Sequence, residues 1–429
     1  MNIVMLTNTF TPHVGGVARS VAAFSDEYRR RGHRVLVVAP EFDNQPADEV
    51  DVVRIPAIQH FNGSDFSAVL PVSGLLTETL DVFGPDIVHT HHPYLLGMTA
   101  LRIARYRELP LVFTHHTLYE QYTHYVPLDS PAFRRFVIEL ATRYANLCDQ
   151  VFAPSESIAD LLWERDVEAP IAVVPTGVDL ERFAHGDGAG FRAARDIPAG
   201  AFVVGHLGRL APEKNLEFLA GAVARFLKST PNAHFLLVGE GPSAPVIHAV
   251  FEDEGVIERL HHAGILKPPE LVNAYHAMDV FAFASRSETQ GMVLTEAMAA
   301  GVPVVGLDAP GVREVIRDPL NGRLLREETV AAFAAALQWV LALPPEKRQQ
   351  LRRRALQTAV DFSLPRSADK ALDRYEMLRE KAFVTRTDQY DQWQRVLDLI
   401  KAEWDILMGI AGAAGAAFSE TGPIDRTPP

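Results

Sequence analysis

Two glutamates, Glu288 and Glu296, stand at an E-x7-E spacing in the stretch FAFASRSETQGMVLTEAMAAGVPVV at residues 281–305. An apolar run precedes them, Gly291 lies between them, and a second apolar run follows Pro303. The pattern predicts a strand, a tight turn, an alanine-rich helix and another strand. The first N–H groups of such a helix, near Gly291, Met292 and Val293, have no partner within the helix and would face an anion such as phosphate. Gln290 belongs to the same turn. Carboxylates repel phosphate unless they hold hydroxyls, so Glu288 and Glu296 read as holders of a sugar and a ribose. A glycosidase acid and base would also be two carboxylates. No other part of a hydrolase site is visible, and a phosphate-type turn between the pair fits a nucleotide-sugar better.

A second constellation is GRLAPEKN at residues 208–215, immediately after an apolar run. A departing nucleoside diphosphate develops negative charge, which Arg209 and Lys214 are placed to offset beside Gly208. The plainer alternative is a solvated basic pair on a surface loop.

Histidines form a third group. His89, His91 and His92 end one apolar run, and His115 and His116 end another. Strand ends of this kind line a single crevice in an open α/β sheet. Five histidines invite a zinc reading, but neither cysteine nor carboxylate stands at ligand spacing beside them, so no metal is expected. No Asp-x-Asp pair occurs either, leaving the diphosphate to cationic side chains and a helix end. An electrostatic role for one histidine near a reacting sugar is the functional reading; hydrogen-bonded strand-end histidines are the bland one.

The stretch TLYEQYTHYV at residues 117–126 carries Tyr119, Tyr122 and Tyr125, and Arg134, Arg135 and Arg143 follow on a helical pattern. Phe133, Phe136, Val137, Leu140, Tyr144 and Leu147 recur at helical spacing, which favours a core stripe. Arginines beside exposed aromatics would instead dock on anionic lipid, each worth about 1 kcal/mol near the surface.

These groups need elements to hold them. Short apolar runs at 2–7, 34–39, 52–55, 87–90, 111–114, 151–153 and 171–174 alternate with helical patterns, as buried parallel strands do. The loop TNTFTPHVGG at 7–16 precedes the helix expected at 17–31, and Gly15 and Gly16 would let backbone approach a ligand closely. The G-x-G-x-x-G dinucleotide pattern is missing there, which argues against a dehydrogenase. A second series runs through 202–207, 235–238, 260–263, 280–284, 304–306 and 323–325. The glycine-rich segment 184–190 is the expected linker. Helical patterns fill 330–343 and 345–360, and another begins after Pro365. Beyond 383 an amphipathic helix and then a small, polar tail are expected.

With 429 residues the chain is too long for one ordinary core. A net charge of -13 argues against non-specific nucleic-acid binding. The single cysteine, Cys148, excludes an internal disulfide and fits a reducing compartment. Residues 1–12 lack the pattern of a secretory signal, and the apolar segment 406–418 is too short to span a bilayer. The expected location is cytoplasmic, with peripheral contact at the inner membrane face as the extension that the arginines suggest.

Together these residues resemble the retaining glycosyltransferases of family 4, which have the GT-B fold. The resemblance covers the chain to about residue 380. It is carried by Gly15-Gly16, PTGVD at 175–179, GRLAPEKN, VGEGP at 238–242 and the segment from Glu288. It implies an α/β protein with two Rossmann-like, doubly wound domains facing across a cleft. Residues 1–183 would bind the acceptor, completed by a returning helix at 365–380; residues 191–364 would bind the nucleotide-sugar; 383–429 would be an extension. It further implies Arg209 and Lys214 on the diphosphate, Glu288 on sugar hydroxyls, Glu296 on the ribose, Gly16 against the phosphates and His116 near the transferred sugar. The base would sit by Ile265, within 264–266. Front-face attack, assisted by the leaving phosphate, is the retention mechanism so implied.

Within that family, HTHHPYLLG at 89–97 and FTHHTLYEQYTHYVP at 113–127 look like the bacterial diacylglycerol glucosyltransferases. This similarity implies UDP-glucose as co-substrate, no other cofactor, and a lipid acceptor approached by His91, His92, Tyr119, Tyr122 and Tyr125. The acidic net charge departs from those enzymes. Rival readings are transfer to a soluble or polysaccharide acceptor, a nucleotide-sugar epimerase, and a non-catalytic sugar-nucleotide binder. The basic loop and E-x7-E pair argue against the last two.

Overall fold

The computed structural model describes residues 1–13, 15–58, 68–69, 74–121, 130–386, 408, 410 and 413. Tyr122, Tyr125 and nearly all of the expected extension lie outside the described residues. The chain divides into two compact units, Met1–Gly177 with Pro365–Pro429, and Val178–Leu364.

The first unit contains β1 (Asn2–Leu6), β2 (Arg34–Pro40), β3 (Val52–Ile55), β4 (Ala57–Ile58), β5 (Ala68–Val69), β6 (Ile87–Thr90), β7 (Leu111–Thr114), β8 (Gln150–Ala153) and β9 (Ile171–Val173). Seven of them form a parallel sheet in the order β3-β2-β1-β6-β7-β8-β9; β4 and β5 pair antiparallel by themselves. That small hairpin left no signal in the sequence pattern. Strand order reverses between β1 and β6, which is where open α/β sheets bind ligands. Helices cover the sheet, so its strands are apolar on both faces. Val4, Leu6, Val38, Val88, Phe113 and Val151 pack with Ala100, Leu101, Tyr144, Ile158 and Leu162.

The second unit holds β10 (Phe202–Leu207), β11 (Ala233–Val238), β12 (Leu260–His262), β13 (Val280–Phe283), β14 (Val304–Leu307) and β15 (Gly322–Leu325). They form one parallel sheet in the order β12-β11-β10-β13-β14-β15, with its switch between β10 and β13. Successive residues serve opposite faces: Val203, Leu236 and Phe281 join one core, whereas Val204, Phe235 and Val280 join the other.

The segment 184–190 is not a linker. It belongs to the second unit, where Asp187 caps the short helix Gly188–Ala193 by accepting from Gly190 N–H at 2.7 Å. Glycine is required there for packing, since a Cβ on Gly188 would lie 2.2 Å from the His276 carbonyl oxygen. Further back, Val178 N–H donates to Phe362 O and Leu364 N–H donates to Val178 O. Those bonds group the chain after Gly177 with the second unit. The helix Leu364–Arg386 then returns to the first, where Arg31 donates to Pro365 O and pairs with Asp369.

The helix Pro131–Asn146 begins at Ser130, whose hydroxyl accepts from Phe133 N–H at 3.1 Å. Its buried face is Ile138, Ala141, Thr142, Tyr144 and Ala145. The expected core stripe is therefore displaced: Phe133, Phe136, Val137, Leu140 and Leu147 are only half-buried. Among the described residues no helix is long and apolar enough to cross a membrane.

Candidate active site

At the switch of the second sheet, the loop after β10 meets the loop after β13. Lys214 Nζ donates to Glu288 Oε1 at 2.6 Å, and each side chain is 18 % exposed. Asn215, left-handed at φ 55°, donates to Ala284 O and to Glu328, which also pairs with Arg286. These bonds tie the two loops together. Burial alone would raise the Glu288 carboxyl, but the charge and hydrogen bond of Lys214, with help from Ser285, bring it below its usual value. Arg209 is exposed, one residue after Gly208.

Gly291 caps the helix Met292–Ala299 in the left-handed region at φ 68°, without a side-chain cap. A Cβ there would meet Gly311 O at 3.0 Å, so glycine suits both the backbone angle and the packing. Met292 and Val293, half-buried, open the helix; Gln290 is buried just before it. Glu296 lies one turn on, buried, and accepts the Tyr275 hydroxyl at 2.7 Å. An exposed helix residue is thereby excluded for Glu296. Ile265 follows Gly264 beyond β12 and stands 69 % exposed.

His206 was not singled out by spacing. It is buried on β10, and its Nδ1–H donates to Ala282 O at 3.0 Å. Burial pushes its pKa down to about 4, and the Lys214 charge adds to that. The available signal was a polar residue inside the apolar run FVVGHL.

In the first unit Gly15 caps the helix Gly16–Arg30 with extended backbone. A Cβ on Gly16 would meet nothing within 4 Å, so internal packing does not demand glycine there. Asn8 lies at the switch of this sheet: its N–H donates to His92 Nδ1 at 3.1 Å, and its side chain bonds Tyr94 O and Leu96 N. His91 and His116 are brought together, with Nδ1 and Nε2 2.9 Å apart. Burial holds His89, His92, His115 and His116 at about 3, and His91 is lowered as well, so all are neutral near pH 7. Tyr119 packs edge-on to Tyr94 and His115 with its hydroxyl enclosed. The turn that carries it is pinned by a buried ion pair, Arg165 Nη2 to Glu120 Oε1 at 2.7 Å. Among the described residues no group of three or more His, Cys, Asp or Glu is arranged to hold a metal.

Two family models match the chain, Glycosyltransferase Family 4 over residues 14–182 and Glycosyl transferases group 1 over residues 190–358. The alpha-monoglucosyldiacylglycerol synthase of Streptococcus pneumoniae is 28% identical over 367 residues, covering 84% of this chain and 83% of that protein. A D-inositol 3-phosphate glycosyltransferase of Saccharomonospora viridis is 32% identical over 393 residues, covering 85% of this chain and 90% of that one. Among solved structures, Anabaena HepE in complex with UDP aligns at a TM-score of 0.69 with 20% identity, over 88% of this chain and all of that one, a likeness of fold. The chain belongs to the family 4 glycosyltransferases, with two Rossmann-like α/β domains of the GT-B kind, and is a glycosyltransferase.

Proposed function

We propose that the enzyme moves a hexose, with retention, from UDP-glucose to a lipid acceptor such as diacylglycerol. The observation that carries the reading is the Lys214–Glu288 pair at the switch of the second sheet. Similarity to the pneumococcal alpha-monoglucosyldiacylglycerol synthase supports the choice of substrates. Arg209 and Lys214 offset the charge of the leaving diphosphate, together with the N–H groups at Gly291, Met292 and Val293. Glu288 takes the sugar hydroxyls, and Glu296, oriented by Tyr275, takes the ribose. Gln290 and Gly208 shape the phosphate turn, and Ile265 covers the base. Gly15 and Gly16 allow close approach to the phosphates. His116 serves the transferred sugar as a neutral hydrogen-bonding group, with His91, His92 and Tyr119 toward the acceptor. No metal has a part in this scheme. The domain assignment goes with it: Met1–Gly177, with the helix that returns from Pro365, takes the acceptor, and Val178–Leu364 takes the donor.

Half-buried Phe133 and Phe136, stacked at 6.2 Å, with exposed Arg134 and Arg143 on the same helix, support contact with an anionic membrane surface. A soluble phosphorylated polyol is the second reading of the acceptor, favoured by the similarity to the D-inositol 3-phosphate glycosyltransferase. A donor panel of UDP-glucose, UDP-galactose and GDP-mannose separates the two when run with diacylglycerol vesicles or with inositol phosphate. Lipid-dependent release of UDP, with co-sedimentation on anionic vesicles, is the expected result. Turnover confined to the soluble acceptor would replace the lipid reading with the second.

A further inference from the structure

The helix Leu364–Arg386 places Tyr375 fully buried against the histidine cluster of the first unit. Its hydroxyl lies 2.6 Å from His89 Nδ1, and His89 Nε2 lies 2.7 Å from Thr114 Oγ1. The His89 ring lies against His91 with centroids 4.2 Å apart, and His91 Nδ1 is hydrogen-bonded to His116 Nε2. On the other side, Tyr28 of the helix Gly16–Arg30 packs edge-on to Tyr375 at 5.9 Å. A cavity of about 10 Å³ borders Ser20, Tyr28, His89, His91, Thr114 and His116, room for one water.

We propose that Tyr375 is a positioning residue for His116, acting through His89 and His91, so that the returning helix completes the reactive side of the first unit. The inference rests on the reading of His116 as the group serving the transferred sugar. Donation from the Tyr375 hydroxyl makes His89 Nδ1 the acceptor. His89 is then the Nε2–H tautomer and donates to Thr114 Oγ1. With both nitrogens engaged, the His89 ring is fixed in plane and tilt. It is thereby a rigid wall for His91, whose own Nδ1 sets the orientation of His116. A phenylalanine at 375 would keep the stacking on Phe152, whose centroid is 5.8 Å away, and lose only the hydroxyl. The effect expected of that loss is looser His116 geometry rather than a weaker grip on donor, because the donor-holding pair belongs to the other unit. A misplacement well under an ångström is enough for a rate loss on the order of tenfold.

The full-length enzyme, labelled with 15N-histidine, tests this with Tyr375→Phe, His89→Gln, the double variant and His116→Asn. Tyr375→Phe should lower kcat on the order of tenfold, leave the donor KM unchanged and shift the imidazole 15N signals of His89 and His116. His89→Gln should give the same kcat loss, and the double variant no more than either alone, as expected of residues acting as one unit. Wild-type kcat and an unmoved His116 signal in a folded Tyr375→Phe, with His116→Asn inactive, would overturn the positioning role. Wild-type turnover by His116→Asn would instead remove the functional reading of His116 beneath it.

Discussion

Lys214→Ala should reduce kcat/KM by at least about 10²- to 10³-fold, the scale on which single preorganised charges act in transition states. Glu288→Gln should fall comparably, through lost sugar contacts and through a cation no longer held in place. Both variants should remain folded by circular dichroism, since the pair is 18 % exposed on each side and water relieves part of the charge left behind. The pH dependence follows from the lowered Glu288 pKa. A carboxylate with a depressed folded value stabilises fully above its unfolded value, and that contribution disappears as pH falls through the folded one. The stability gap between wild type and Glu288→Gln should therefore be constant above about pH 5 and close only below the ordinary value of 4.5. A gap that closed between pH 6 and pH 7 would show that another group governs the pair.

Arg165→Met should destabilise the first unit by about 3–5 kcal/mol, because it removes the guanidinium paired with the buried Glu120 carboxylate. The Glu120 side chain is 4% exposed and that of Arg165 11%, so little solvent is at hand to take over. Chemical denaturation measures the loss. The paired change Glu120→Gln with Arg165→Met should recover most of it, as replacing a buried ion pair outright costs far less than halving it. If the single variant unfolds at the wild-type midpoint, Glu120 is not held by Arg165. Because the pair pins the turn carrying Tyr119, acceptor turnover should fall along with stability while the donor KM stays put.

Much of the framework was legible because burial on both sheet faces forces continuous apolar runs. Residues 87–90, 111–114 and 202–207 stand out for that reason and are strands at those bounds. The turn at Gly291 was legible through its glycine and the periodicity that follows. Pairings distant in sequence were not. Lys214 meets Glu288 across 74 positions, and Tyr375 meets His89 across 286, distances at which spacing holds no information. The segment 184–190 misled because glycine marks both loose chain and close packing. Only the neighbouring His276 backbone distinguishes them. The aromatic pattern at 133–147 misled differently: its period is helical, but the residues actually buried are Ile138, Ala141, Thr142, Tyr144 and Ala145, of which only Tyr144 belongs to the stripe.

The most direct measurement of the central claim is the product itself. Enzyme incubated with UDP-glucose carrying 13C at the anomeric carbon and with diacylglycerol vesicles should yield a glucosyl lipid. Its anomeric signal, by NMR, should report the same α configuration as the donor, in step with UDP release. An inverted β-glucosyl lipid, or UDP released with glucose found only as the free sugar, would contradict the account.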